Sequence, residues 1–339
     1  MTKVHVLAVK TASLQCVCVA LLSLLLAVDA FTAPVHWDMP TAFAPGNFQT
    51  RNIVQFAEAV GQASGDDLTI RVHSGASLYK ASQIKFAVRT GQVSIGETLM
   101  ALHLNENSLF GLDSIPFLAT DYAAARTLSN LQRPLLEKIL QQQGLLYLYS
   151  VPWPPQGLFS PKPITNIADI ADKSFRAYSK QSARFAQLVS ANPVMIHAAE
   201  VSHALVTGKI DLLLTSSQAG VDFKIWESMK YFYDVGGWLP KNMVVVNRAA
   251  FLALEPRLRD VLLAEARNAE RRGWHASERI TDQASRTLRE RGISFEHAGL
   301  ELMRPLQAAG ADMQREWRLD ATAAGARIID VFQTLARKP

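Results

Sequence analysis

The chain has 339 residues, of which 49% are hydrophobic and 19% are charged, and its formal net charge is +5. This length allows two or three domains of ordinary size, and the composition excludes the collagen-like, low-complexity and disordered classes. The positive charge is spread along the chain without a basic cluster, so we expect no nucleic-acid partner.

The N-terminus has the three-part pattern of a secretory signal peptide. Lys3 and Lys10 precede an uncharged stretch, residues 11–28, and Val28-Asp29-Ala30 resembles a cleavage site. The strongly apolar part of this stretch has 13 residues, whereas a membrane-spanning helix needs about 20. We therefore predict that residues 1–30 are a signal peptide and that the mature protein is periplasmic.

Cysteine usage supports a mature protein without thiol chemistry. Both cysteines, Cys16 and Cys18, lie inside the predicted signal peptide. The mature chain would then contain no disulfide, no cysteine metal ligand and no catalytic thiol.

The rest of the chain alternates between helix-like and strand-like segments. Asn47 is a typical N-cap at the start of a helical pattern, and Pro134 is expected to divide another helix. This alternation indicates an α/β fold with two mainly parallel, helix-covered sheets. The predicted strands are residues 35–39, 68–73, 93–96, 145–151, 174–178, 194–197, 210–215 and 243–246; the predicted helices are 47–61, 79–90, 122–143, 167–171, 182–191, 200–208, 221–229, 256–291 and 301–337, the last interrupted at Gly310 and Gly325.

The helix predicted over residues 256–291 is longer than a small domain is wide. About 36 residues at 1.5 Å each give roughly 54 Å. Its apolar residues do not keep a heptad repeat, which disfavours a coiled coil. We expect it to brace two lobes, although Gly273 inside the pattern allows a break.

The motifs of the common catalytic and cofactor sites are absent. The sequence contains no G-x-G-x-x-G, no Walker motif, no G-x-S-x-G and no H-E-x-x-H, so we expect no cofactor. His197, Glu200 and His203 have a spacing that suits a metal site poorly, and Glu200 is better explained as a first-turn carboxylate that interacts with the helix dipole. We therefore predict no metal site.

Two tryptophans occur in proline-bounded loops. Trp153 lies in Pro152-Trp153-Pro154, and Trp238 precedes Leu239-Pro240. Loops at the ends of parallel strands are where α/β proteins bind ligands, so each tryptophan either lines a pocket or belongs to the core.

Four segments resemble a known family when taken together. IADIADKSFR (residues 167–176) is similar to the D-L-K-G-x-K-x-R signature of TRAP-transporter solute-binding proteins of the dicarboxylate (DctP) type. AEVSHALVTGKID (residues 199–211), WESMKY (residues 226–231) and the stretch from Ser74 to Glu97 resemble three further patterns of that family.

The resemblance implies a type II-like periplasmic-binding-protein fold, in which two α/β lobes close over a ligand like a Venus flytrap. The family layout places one lobe at residues 34–152 plus 241–280 and the other at 153–240 plus 281–330. The implied function is to capture a small organic acid and deliver it to the permease subunits of a TRAP transporter. Arg176 is the signature arginine that pairs with the ligand carboxylate, and a guanidinium fork suits a carboxylate.

Departures from the family pattern indicate the kind of acid. Gln156 stands where sugar-acid receptors carry a second arginine, Ala198 replaces an aromatic residue and Thr215 replaces an asparagine. We therefore predict a monocarboxylate with a sizeable apolar or aromatic part, such as a 2-oxo or 2-hydroxy acid. The remaining predicted ligand-binding residues are Glu97, Trp153, Phe159 and Trp238.

Two other functions remain open from the sequence. A periplasmic enzyme could use Glu97 or Glu200 as a base, and a receptor of an ABC importer or a sensor would share the two-lobed fold. We expect binding without catalysis.

Overall fold

The computed structural model describes residues 33–336, so the predicted signal peptide lies outside the described residues. Within residues 33–336, no helix is both long enough and apolar enough to cross a membrane. The strands are β1 (Val35–Pro40), β2 (Leu68–His73), β3 (Ile95–Leu99), β4 (Leu145–Pro152), β5 (Gln156–Ser160), β6 (Ser174–Ala177), β7 (Asn192–Met195), β8 (Leu212–Ser216), β9 (Tyr231–Tyr233), β10 (Lys241–Asn247) and β11 (Ser294–Glu296).

Helices cover the sheets and follow most of the strands. They are α1 (Phe48–Ser64), α2 (Ile84–Arg89), α3 (Tyr122–Gln142), α4 (Lys180–Leu188), α5 (Val201–Val206), α6 (Ser217–Asp222), α7 (Arg248–Ala253), α8 (Pro256–Glu290), α9 (Leu300–Asp320) and α10 (Ala323–Ala336).

The sheets are less parallel than the sequence predicts. β1 pairs with β2, and a second sheet has the order β3-β10-β4, with both of its pairings antiparallel. The third sheet has the order β11-β9-β5-β8-β6-β7, in which β5 is antiparallel to both neighbours and the other pairings are parallel. The prediction of mainly parallel sheets holds for the six-stranded sheet, in which three of five pairings are parallel. It was wrong for the three-stranded sheet, because alternating elements do not reveal the direction in which a late strand such as β10 returns.

Several predicted helix boundaries also differ from the structure. The interruptions predicted at Gly310 and Gly325 were wrong, because both glycines lie inside helices, α9 and α10, and the chain breaks between them at residues 321–322. α3 continues through Pro134, because buried leucines on both sides of the proline hold the helix against the core. The helix predicted over residues 221–229 is instead α6 and a separate 3-10 turn, Ile225–Glu227. Lys224 adopts a left-handed conformation with φ of 50° between them, which ends the α-helix.

The long helix α8 is unbroken over 35 residues, as its length and pattern predict. It packs against α1 and β4 on one side of the molecule and against α6 on the other. Near its C-terminal end, Leu288 belongs to a core cluster of the six-stranded sheet. The helix therefore contacts both halves of the fold.

The C-terminal helices return to the first half of the chain. α9 contributes Leu302, Leu306 and Met313 to a core cluster of the six-stranded sheet. Ile329 and Phe332 of α10 pack instead with the core that covers the three-stranded sheet. The range predicted for the second lobe, residues 281–330, thus includes the first part of a helix that packs beside the three-stranded sheet.

Candidate ligand-binding site

A cavity of about 370 Å³ lies where the strand ends of the two larger sheets approach each other. β6 and β8 are parallel, so their carboxyl ends meet at one edge, and antiparallel β5 brings its first residue to the same edge. From the other sheet come the end of β3 and the segments beside β4 and β10. Apolar side chains provide most of the wall: Ala42, Phe43, Ala76, Ala81, Leu99, Leu102, Trp153, Tyr178, Ala198, Ala199, Ala219, Phe223 and Pro240.

Arg176 on β6 is the buried cation of this wall, with 4% of its surface exposed. Its Nε donates a hydrogen bond to the Ile196 carbonyl at 3.1 Å, and its guanidinium lies 4.9 Å from the Tyr178 ring centre. Among residues 33–336 it forms no ion pair with a carboxylate. Burial lowers the pKa of Arg176 to about 10, so the group is charged at neutral pH and attracts an anion.

The Tyr178 side chain is held behind this guanidinium by Trp238. The Trp238 indole Nε1 donates to the Tyr178 hydroxyl oxygen at 3.0 Å. Burial raises the pKa of Tyr178, so the phenol is neutral and keeps a hydrogen that it can donate. Trp238 itself is 1% exposed and lies outside the cavity wall, in the core with Phe185.

Trp153 forms an aromatic part of the wall. Its ring packs against Phe43 and Phe48, with ring centres 4.9 and 5.3 Å apart. Its Nε1 donates to Asn242 Oδ1 at 2.9 Å, so the hydrogen bond and the ring contacts together hold the indole in one orientation. This arrangement offers the face or edge of a rigid aromatic ring to a ligand.

Glu97 lies one layer behind Trp153 and does not line the cavity. It is 1% exposed and accepts hydrogen bonds from Asn242 Nδ2 at 2.9 Å and from the Thr41 hydroxyl. Burial raises the pKa of this carboxyl group. The last two residues of β3, Thr98 and Leu99, line the cavity instead.

Three smaller side chains of the prediction line the cavity. Gln156 is the first residue of β5, and its Nε2 donates to the Pro154 carbonyl at 3.0 Å, which assigns the remaining amide oxygen as an acceptor. Thr215 lies near the end of β8, and Ala198 begins the turn that leads into α5. None of the three brings a positive charge to the wall.

Of the eight predicted ligand-binding residues, the structure brings five together and leaves three elsewhere. Phe159 is fully buried against Phe232 in the core of the six-stranded sheet. The residues in the wall are Arg176, Gln156, Trp153, Thr215 and Ala198; those outside it are Glu97, Trp238 and Phe159.

Tyr178, Phe223 and Thr98 also line the cavity and are not among the predicted ligand-binding residues. Tyr178 directly follows the strand that carries Arg176, so its position at a carboxyl strand end was a usable signal. Phe223 follows α6, and no local pattern distinguishes it from a core phenylalanine.

The group of His197, Glu200 and His203, considered above as a metal site, contains a hydrogen bond typical of the start of a helix. Glu200 accepts a hydrogen bond from the His197 backbone N–H at 3.3 Å, as expected for a carboxylate in a first turn. Within residues 33–336, no three His, Cys, Asp or Glu side chains are grouped so that they could hold a metal ion.

Comparison with known proteins identifies the family. Residues 40–318 match the family described as bacterial extracellular solute-binding protein, family 7, also called DctP. The chain belongs to this family. Family 7 members are extracytoplasmic solute receptors that bind small organic acids for TRAP permeases, which confirms the resemblance found in the sequence.

Solved structures of this family share the whole fold. DctP6 from Bordetella pertussis, an extracytoplasmic solute receptor binding pyroglutamic acid, is 41% identical, with a TM-score of 0.87 over 88% of this chain and all of that chain. DctP7 from the same organism, also binding pyroglutamic acid, is 37% identical, with a TM-score of 0.87 over 88% and 99% of the two chains.

A third relative comes from a marine metagenome. It is a TRAP solute-binding protein specific for pyroglutamate, in complex with co-purified pyroglutamate. It is 35% identical, with a TM-score of 0.87 over 89% of this chain and all of that chain. The two-lobed periplasmic-binding-protein fold is therefore confirmed for this chain.

Proposed function

We propose that this family 7 receptor binds a cyclic monocarboxylate, pyroglutamate, through Arg176. The observation that carries the proposal is the buried Arg176 guanidinium, which faces a largely apolar cavity and forms no ion pair with a carboxylate among residues 33–336. A buried cation is stabilised when a ligand carboxylate supplies the missing charge, and a planar fork can bind both oxygens. Three relatives at 35–41% identity bind the same acid.

The wall suits one carboxylate rather than two. Arg176 is its buried cation, whereas Lys80 is exposed, and Gln156 occupies the position that carries a second arginine in the sugar-acid receptors that the sequence resembles. A second ligand carboxylate would lose water without gaining a buried positive partner, which is costly. The apolar ring edge of pyroglutamate would contact the aromatic residues Trp153 and Phe223.

A second candidate ligand follows from the same wall. Six alanines line the cavity, including Ala198, where sugar-acid receptors resembling this chain carry an aromatic residue. This leaves room for a larger apolar group, so an aromatic 2-oxo or 2-hydroxy acid is the alternative to pyroglutamate.

The ligand enters between two lobes in this proposal. One lobe comprises residues 34–152 and 241–280, the other residues 153–240 and 281–330, with α10 packed on the first. Two hydrogen bonds hold the crossing segments side by side: the Trp153 N–H donates to the Pro240 carbonyl at 2.8 Å, and the Gln156 N–H to the Trp238 carbonyl at 3.0 Å. Two chain segments that cross between the lobes and are joined by backbone hydrogen bonds support a hinge at this point.

We expect the receptor to bind without catalysis and to act in the periplasm after removal of residues 1–30. Glu97 lies behind the wall, and Glu200, although it lines the cavity, is exposed and accepts a hydrogen bond from a backbone N–H, so neither carboxylate is prepared as a base. Ligand recovered after long incubation should be chemically unchanged, and N-terminal sequencing of exported protein should start near residue 31.

Calorimetric titration of the purified protein tests the ligand assignment. We expect tight binding of pyroglutamate, weaker binding of phenylpyruvate and no measurable binding of succinate. Arg176→Met should weaken pyroglutamate binding at least about 100-fold, because losing one partner of a buried charged pair costs several kcal/mol. Succinate binding as tight as that of either monocarboxylate would contradict the proposal.

A further inference from the structure

Thr98 belongs to a chain of polar groups that begins in the cavity wall and ends at the exposed Glu106. Its Oγ1 lies 3.1 Å from Nε2 of His103, whose Nδ1 lies 3.4 Å from Oε1 of Glu106. The other oxygen of Glu106 accepts from the Lys85 ammonium and from Gln143 Nε2 at 3.2 Å. Thr98, His103 and Lys85 are all at most 5% exposed.

The charges in this chain fix the histidine tautomer. His103 and Lys85 lower the pKa of Glu106 to about 2, so this carboxylate is ionised at neutral pH. Burial lowers the pKa of His103, so the imidazole is neutral. A neutral imidazole next to a carboxylate places its single hydrogen on the nitrogen that faces the carboxylate, here Nδ1, because two lone pairs would repel each other.

The tautomer then fixes the direction of the Thr98 hydroxyl. Nε2 of His103 carries no hydrogen and can only accept, so the Thr98 O–H donates to it. A longer contact of 3.4 Å to the Ala81 carbonyl competes for the same hydrogen, but using it would leave the buried Nε2 unpaired. The Thr98 oxygen keeps its lone pairs and has no hydrogen left to donate to a ligand.

We propose that Thr98, oriented by His103 and Glu106, is a specificity-determining residue that accepts a hydrogen bond from the ring N–H of the ligand. This inference rests on the proposed function, since pyroglutamate carries such a lactam N–H beside its carboxylate. Thr98 lines the same cavity as Arg176, so one small ring acid could use the cation for its carboxylate and the threonine for its N–H. A ring oxygen in place of the N–H would face its lone pairs toward those of Thr98 Oγ1, so no hydrogen bond would form.

The test compares pyroglutamate with its lactone analogue, in which the ring oxygen replaces the N–H, by calorimetry on four proteins. We expect the wild type to bind pyroglutamate about 10- to 100-fold more tightly than the lactone. Thr98→Val should reduce this ratio to about one to three, and Thr98→Ser should restore it because the hydroxyl is retained. Thr127→Val, a matched change at a threonine of α3 outside the cavity wall, should leave the ratio at the wild-type value.

The outcomes separate the two proposals. Wild-type protein that does not bind pyroglutamate overturns the proposed function and this inference with it. Wild-type protein that binds pyroglutamate without preferring it to the lactone, or a Thr98→Val protein that keeps the preference, overturns only the role of Thr98. Circular dichroism verifies that each variant folds; if Thr98→Val does not, Thr98→Ala replaces it with the same expected ratio.

Discussion

Asn47 donates a hydrogen bond from its side-chain Nδ2 to Oδ2 of Asp222 at 2.6 Å. Asn47 is the N-cap of α1, where its own Oδ1 accepts from the Gln49 N–H, and Asp222 is the last residue of α6. α1 belongs to the side of the cavity that carries Phe43, and α6 to the side that carries Thr215. The Asn47–Asp222 bond therefore joins the two sides across the cavity.

Exchanging the two side chains tests whether this bond favours the closed state. Asn47→Asp should weaken ligand binding about tenfold, because two carboxylates would then face each other while the N-cap is preserved. The double variant Asn47→Asp with Asp222→Asn restores one donor and one acceptor, so its affinity should return to within about threefold of the wild type. Calorimetry gives the affinities, and small-angle scattering gives the radius of gyration. A double variant no better than Asn47→Asp would show that the bond has no role in closure.

Arg176 should lower the stability of the unliganded receptor. A buried guanidinium without a carboxylate partner costs free energy, although its contacts with the rings of Tyr178 and Phe223 offset part of this cost. Arg176→Met, which keeps much of the side-chain volume, should therefore have an equal or higher melting temperature without ligand. Added pyroglutamate should raise the melting temperature of the wild type only. A melting temperature several degrees lower for the unliganded variant would mean that the arginine is mainly structural.

Glu97 contributes to the pH dependence of folding stability, and a comparison with a variant at this position measures that contribution separately. Burial raises its folded-state pKa above the ordinary value of 4.5. The stability contributed by the bound proton is complete below pH 4.5 and is lost as pH rises through the raised pKa. The unfolding free energy of the wild type minus that of Glu97→Gln should thus fall as the pH rises above 4.5, by at most about 1.4 kcal/mol per pH unit.

Urea denaturation of both proteins at several pH values measures this difference, and the other carboxyl groups cancel because both proteins contain them. A difference that is flat with pH would contradict a raised pKa of Glu97. Pyroglutamate binding by Glu97→Gln should change less than tenfold, because the carboxylate touches Thr41 and Asn242 rather than the ligand.

Gly273 allows α8 to lie close to β4. A Cβ at this position would overlap the Val151 side chain and come within 2.8 Å of Asn52 Nδ2. Gly273→Ala should destabilise the protein by about 1–3 kcal/mol through overpacking, although alanine favours a helix more than glycine does. Gly325→Ala in α10 is the matched control, since its Cβ would meet no atom closer than 3.4 Å and should stabilise slightly. Equal effects of both changes in urea denaturation would contradict the packing argument.

The sequence predicted the fold better than it predicted the contacts of individual side chains. The N-cap at Asn47, the long α8 and the site at the end of the strand carrying Arg176 follow from local patterns and a family signature. Glu97 shows the limit of such inference, because the sequence of β3 does not reveal that its last two residues, Thr98 and Leu99, reach the cavity while Glu97 does not. The loop around Trp238 was recognised, but only the tertiary packing decides whether its ring faces a cavity or a core.

The charge of Arg176 also bears on how the receptor is emptied. Its pKa of about 10 keeps the guanidinium ionised at any external pH that a bacterium normally meets. Changes in external acidity therefore cannot unload the receptor by neutralising its anchor. In the proposed complex, release of the acid therefore requires the two lobes to open, so that water reaches the ion pair and takes the place of the protein.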